Sequence, residues 1–107
     1  MKLITKEIEK KLAKCPIYSK DGQGKDAEVV CKFFSPWGNW TWYVLEGEKQ
    51  EDGDWYLYGY VESDFPEFGY FMLSELEEAV GPFGLKVERD KWFTPCKLSE
   101  VVREVVY

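Results

Sequence analysis

Carboxylates are the side chains with most chemistry to offer in this sequence. Glu88-Arg89-Asp90, flanked by Lys86 and Lys91, is the densest polar cluster. On a strand, Glu88 and Asp90 share a face and Arg89 points away. Two carboxylates so placed could serve as acid and base or hold a divalent cation. No third ligand or nucleophile stands at a supporting spacing, so the cluster reads as surface ion pairs worth on the order of 0–1 kcal/mol each. Histidine is absent, which removes Ser-His-Asp and Cys-His catalysis and the usual neutral-pH proton shuttle. Cys15, Cys31 and Cys96 are odd in number and widely spaced, with no C-x-x-C pair. They read as free, partly buried thiols rather than a zinc or dithiol site. The sequence assigns no catalytic residue, metal or cofactor.

A second group of carboxylates suits binding better than catalysis. Residues 46–67 carry Glu46, Glu48, Glu51, Asp52, Asp54, Glu62, Asp64 and Glu67 against the single cation Lys49. This segment holds the whole acidic excess of a chain whose net charge is −6. It lacks the D-x-D-x-D-G loop and closing Glu of a calcium site, and it repels polyphosphate. Aromatic residues flank it (Trp55, Tyr56, Phe65, Phe68), and an interface hot spot needs such anchors. The partner-binding residues expected are Glu46, Glu48, Glu51, Asp52, Asp54, Trp37 and Phe65, presenting carboxylates to a protein with a basic surface. Nucleic acid is the alternative partner. The row Tyr56, Tyr58 and Tyr60 could stack bases, and Lys10 and Lys14 of a Lys-rich first helix could meet phosphates.

These residues need a scaffold, and 107 residues allow one domain, 1–107, with a single core. The stretch Lys32–Tyr43 reads as strand, tight turn, strand, because Pro36 presets φ and Gly38-Asn39 tolerate a reversal. Thr5 caps a first helix, Lys6–Lys14, with Ile4, Ile8 and Leu12 on one face and Pro16 as the stop. Glu28–Phe34 forms a strand with Val29, Cys31 and Phe33 on one face. Trp40–Leu45 forms the next, followed by an acidic loop Gly47–Gly53 and a third strand Asp54–Glu62. In that third strand Trp55, Leu57, Gly59 and Val61 oppose the tyrosine row. Phe68–Leu73 is a short strand, and Ser74 opens a helix as the N-cap of a capping box with Glu77. Val87–Arg89 supplies an edge strand, and Ser99 caps a last helix, Glu100–Val106, with strand as its alternative. Trp40, Trp42 and Trp55 are expected in the core, and Trp37 is expected to be the exposed one. The fold class is α+β: an antiparallel sheet of four to five strands with two to three short helices packed on one side.

No run approaches the roughly 20 apolar residues of a membrane span. Met1–Lys14 alternates Lys and Glu without the apolar region of a signal peptide, so the expected location is the cytoplasm.

The run Lys32-Phe33-Phe34-x-Pro36-x-Gly38-x-Trp40-Thr41-Trp42-Tyr43 resembles the opening signature of domain-of-unknown-function family 2958, met in bacterial, plasmid and phage genomes. Gly69-Tyr70-Phe71-x-Leu73-Ser74-Glu75-Leu76-Glu77 resembles its second signature. Gly81-Pro82-x-Gly84-Leu85-x-Val87-Glu88-Arg89-Asp90 resembles its third, and Pro95-x-x-Leu98-Ser99-Glu100 its end. The likeness runs in order from Met1 to about Glu100 and brings no activity, cofactor or catalytic residue with it. Its occurrence on mobile elements implies an accessory role around restriction, CRISPR-type defence or plasmid maintenance. Joined to the charge pattern, this gives a non-enzymatic protein whose acidic, aromatic face docks on a nucleic-acid-processing or defence enzyme, as an inhibitor of it. Two alternatives stand beside it: the single-strand nucleic-acid binder, and an enzyme or small-ligand protein with a carboxylate site.

Overall fold

The computed structural model describes residues 1–107. Helix α1 (Lys6–Leu12) starts where Thr5 accepts the Ile8 N–H at 3.2 Å, and it buries Ile8 and Leu12. Strands β1 (Glu28–Val29), β2 (Cys31–Phe34), β3 (Thr41–Lys49), β4 (Trp55–Glu62) and β5 (Glu67–Met72) follow. Helix α2 (Leu73–Glu78), strands β6 (Glu88–Arg89) and β7 (Cys96–Lys97) and the one-turn helix α3 (Leu98–Val101) complete the chain. The sheet is antiparallel in the order β5-β4-β3-β2-β6, and β1 pairs separately with β7. This is the expected α+β domain, with a five-stranded antiparallel sheet and three short helices, and β6 is the expected edge strand.

Period-two alternation gives the sheet two apolar faces. Phe33, Trp42, Val44, Trp55, Leu57 and Phe71 turn to one side, where α1, α2, Leu3, Ile4 and Val87 close over them. Tyr43, Leu45 and Tyr60 turn to the other, against Ala27, Val29, Leu98 and Val102. Two helices therefore share one face, while α3 and the C-terminal residues cover the second. The switch between faces is not uniform along β3. Val44 pairs with Gly59 and Glu46 with Tyr58, so Leu45 is the extra residue of a β-bulge. The bulge places Leu45 and Glu46 in succession on the tyrosine side.

Four local expectations are corrected. Glu28–Phe34 is not one strand: Val29 leaves the sheet to pair with Cys96, while Val30 joins Cys31 and Phe33 in the core of the helix-covered face. The expected loop after Leu45 begins only beyond Lys49, because the bulge lets β3 keep pairing with β4. Ser74 is not the N-cap of α2, which starts at Leu73 without a cap from its own neighbours. The missing acceptor comes from Asp54, 20 residues upstream, which takes the Ser74 N–H at 3.1 Å and the Trp55 N–H at 2.7 Å. Finally, the last helix stops after one turn. Val102 is buried, Val105 packs on the same cluster, and the Val106 N–H donates to the Tyr60 hydroxyl at 3.1 Å, contacts made by the non-helical residues after Val101.

Hydrogen bonds from the Ser74 hydroxyl, then from the Trp55 and Ser74 N–H groups, hold the Asp54 carboxyl below its ordinary 3.8. A lowered pKa stabilises the fold above the unfolded value, and this contribution is lost as pH falls through the folded one. D54A is expected to cost about 1 kcal/mol at pH 7, as loss of a helix cap does. The difference from wild type should be smaller at pH 2 than at pH 7, because lowering the pH moves the carboxyl toward its protonated form. Urea denaturation at the two pH values checks this, and an equal loss at both would remove the capping role.

Candidate functional site

The β3–β4 hairpin divides the residues that the sequence groups into one acidic face. Glu48, Glu51 and Asp52 are exposed at the hairpin tip. Trp37 and Phe65 lie at the other end of the same strands, in the turn before β3 and the loop after β4. Eight paired residues at about 3.3 Å each put about 25 Å between the two groups. They form two surfaces.

Two of the expected docking carboxylates are engaged inside the fold. Asp54 holds the start of α2. Glu46 is 1% exposed, and its carboxylate accepts the Tyr18 N–H at 2.9 Å and the Lys20 N–H at 2.8 Å. The grip comes from a turn closed by the Ser19 N–H on the Pro16 carbonyl at 3.0 Å, with Tyr18 at φ +74° in the turn position usually given to glycine. A buried carboxylate is tolerated when hydrogen bonds replace its water, and backbone N–H groups supply them here. Glu46 therefore ties the loop after α1 to the bulge of β3.

The tyrosine row is not an open platform. Tyr60 is fully buried under the C-terminal residues. Tyr58 lies opposite Tyr70 across the strands, and Tyr56 stacks on Tyr70 with centroids 5.2 Å apart and planes within 8°. Burial first, then the neighbouring charge of Glu46, raises the Tyr58 hydroxyl above its ordinary value. Lys10 and Lys14 belong to α1 and the residues just after it, and α1 covers the opposite face of the sheet. The two halves of the nucleic-acid reading thus lie on opposite sides of the sheet.

Two residues of the polar cluster at β6 are engaged in structure. Asp90 pairs with Lys32 at 3.6 Å, and Arg89 donates to the backbone carbonyls of Lys2 and Leu3. The three cysteines are free. Burial pushes the Cys31 thiol up to about 12, and burial followed by the charge of Glu100 raises Cys96, so neither is an activated nucleophile.

A different constellation forms where the β2–β3 turn meets the β4–β5 loop. Trp37, Trp40, Trp42, Ser35, Asn39, Asp64 and Ala79 line a groove of about 470 Å³. Thr41 pairs with Glu62, which brings Asn39-Trp40 beside the Ser63–Pro66 loop and places exposed Phe65 at the same end. The two tryptophan expectations at this turn are reversed. Trp37 packs against the core, and its ring lies so close to Gly81 that a Cβ there would fall 2.2 Å from the indole. Trp40 precedes the first paired residue of β3 and remains 45% exposed. The Ser35 hydroxyl is buried without a hydrogen-bond partner. Ser35 and Asn39 escape sequence reasoning, and Asp64 enters it only as one charge of the acidic segment, because only the pairing of β3 with β4 brings the two turns together.

E46A leaves the Tyr18 and Lys20 N–H groups without an acceptor and is expected to cost about 2–4 kcal/mol. E46Q, which keeps one amide oxygen, should cost less. Urea denaturation checks both, and wild-type stability of E46A would show that the carboxylate holds nothing.

No helix is long and apolar enough to cross a membrane. Neither the curated proteins nor the solved structures contain a match to the chain. The family model described as "Protein of unknown function (DUF2958)" matches residues 3–104, thereby taking in the sheet, the helices and the groove. The chain belongs to that family.

Proposed function

We propose that this protein is a non-enzymatic, cytoplasmic protein-binding module that docks on a basic partner through the tryptophan end of its sheet. The observation that carries the reading is the groove itself. Three tryptophans and one carboxylate line it, no cation stands among its lining residues, and exposed Trp40 and Phe65 lie at its end of the sheet. Aromatic anchors beside uncompensated charge have the composition of an interface centre. Glu62 and Glu67 flank the same loop and extend the negative field beyond Asp64. Such a field speeds encounter with a basic surface and weakens with salt. A nucleic-acid-processing or defence enzyme offers a basic surface of this kind. Binding there by a protein of mobile-element type would inhibit it by occupying the site that receives the phosphate backbone of its nucleic acid. The hairpin tip, with Glu48, Glu51 and Asp52, adds long-range attraction from about 25 Å away rather than contact.

The test is capture of partners from a bacterial lysate by the tagged protein, with and without nuclease. A nuclease-resistant partner is expected, released at high salt. W40A and D64K should each reduce capture about tenfold or more, as loss of a hot-spot residue does. Reversal of Glu48, Glu51 and Asp52 to Lys should leave short-range contacts intact and change capture only a few-fold. Capture lost on nuclease treatment supports the nucleic-acid binder instead, and capture untouched by W40A and D64K removes the groove from the interface.

A further inference from the structure

We infer that the tryptophan groove receives an arginine side chain of the docking partner, an inference that rests on the docking function proposed above and names the group it recognises. The groove offers acceptors and aromatic faces and no donor charge. Asp64 is its only charged residue, and the two ion pairs of the fold, Lys32–Asp90 and Lys49–Glu9, leave that carboxylate without a cation. Ser35 also lines the groove, with its hydroxyl buried behind the surface and unpartnered. Asn39 adds an amide oxygen at the mouth. A guanidinium carries five N–H donors and no acceptor, and it matches a set of this kind.

The aromatic wall separates arginine from other occupants. Trp40 and Trp42 pack on each other with centroids 5.8 Å apart and planes inclined at 44°, so buried Trp42 backs Trp40, whose indole is 45% exposed and supplies the open aromatic surface. A planar, weakly hydrated guanidinium stacks on such a surface, whereas an ammonium is compact and strongly hydrated. A neutral ring could lie on the tryptophans but would leave the Asp64 charge uncompensated. The site is also preorganised: Gly81 admits the Trp37 ring at a distance no side chain would allow, and this fixes the inner wall.

The probe is an acetylated, amidated tetra-arginine peptide, titrated into the 15N-labelled full chain and followed by NMR. Saturable shifts are expected at the Trp40 and Trp42 indole N–H groups and at the Asn39 and Asp64 amides. The indole of Trp92, exposed on the loop after β6, should stay fixed. Tetra-lysine is expected to bind several-fold more weakly and tetra-citrulline, of the same shape without charge, not at all. W40A and D64N should each weaken the arginine peptide about tenfold, the size of a partly desolvated cation–π or charge contact.

Equal binding of tetra-lysine, or shifts centred on Glu48, Glu51 and Asp52, would overturn the inference in favour of unspecific charge attraction. Loss of partner capture in W40A with no arginine binding would leave docking at this end standing and remove arginine recognition. Normal capture by W40A would remove both.

Discussion

The antiparallel pairing of β3 with β4, with one extra residue at Leu45, is the constraint on which the rest of the molecule depends. The pairing fixes which turns lie at the same end of the sheet, and the bulge fixes which face each later side chain takes. Before the bulge, Trp42 and Val44 turn toward the helices, and Tyr43 turns away. At the bulge two successive residues turn the same way, and Glu46 arrives on the tyrosine side, where the loop after α1 can grip it. Without the extra residue the register would slip by one, and a carboxylate would point into the apolar core under α1.

Carboxylates therefore divide into two kinds according to what surrounds them. Asp54 and Glu46 act as internal fasteners, each accepting backbone N–H groups from a segment distant in sequence and holding it against the sheet. One fastens the start of α2, the other the loop after α1. Asp64 at the groove and Glu48, Glu51 and Asp52 at the hairpin tip fasten no distant segment; Asp52 accepts only the Asp54 N–H of its own turn at 3.0 Å, and all four are exposed. Net charge over the segment is the same in either case. Its distribution decides what the protein can bind.

The tryptophans show the same division. Trp42 and Trp55 are buried and contribute area to the core. Trp37, wedged against Gly81, and Trp40, outside the first paired residue of β3, form a surface whose shape is set by the core behind it. The groove itself is lined mostly by the β2–β3 turn and the β4–β5 loop, and the pairing of β3 with β4 is what sets these two side by side.

Much of the scaffold was legible in the sequence because it follows from local rules. Thr5 as a cap, the period-two faces of β4 and the turn residues around Gly38 each act within a few residues of themselves. The absence of histidine and the long cysteine spacings likewise bounded the chemistry without a structure. What lay beyond reach were relations between segments far apart in the chain. Whether Glu46 faced water or a pair of amides depended on a bulge that no local propensity marks. Whether Ser74 or Asp54 capped α2 depended on a strand 20 residues upstream. Whether Trp37 or Trp40 was exposed depended on Gly81 and on where pairing begins. The sequence by itself determined which groups could be buried, charged or turned. Tertiary structure alone decided which of them meet, because contact between distant residues is set by strand register, and register is a property of the whole sheet.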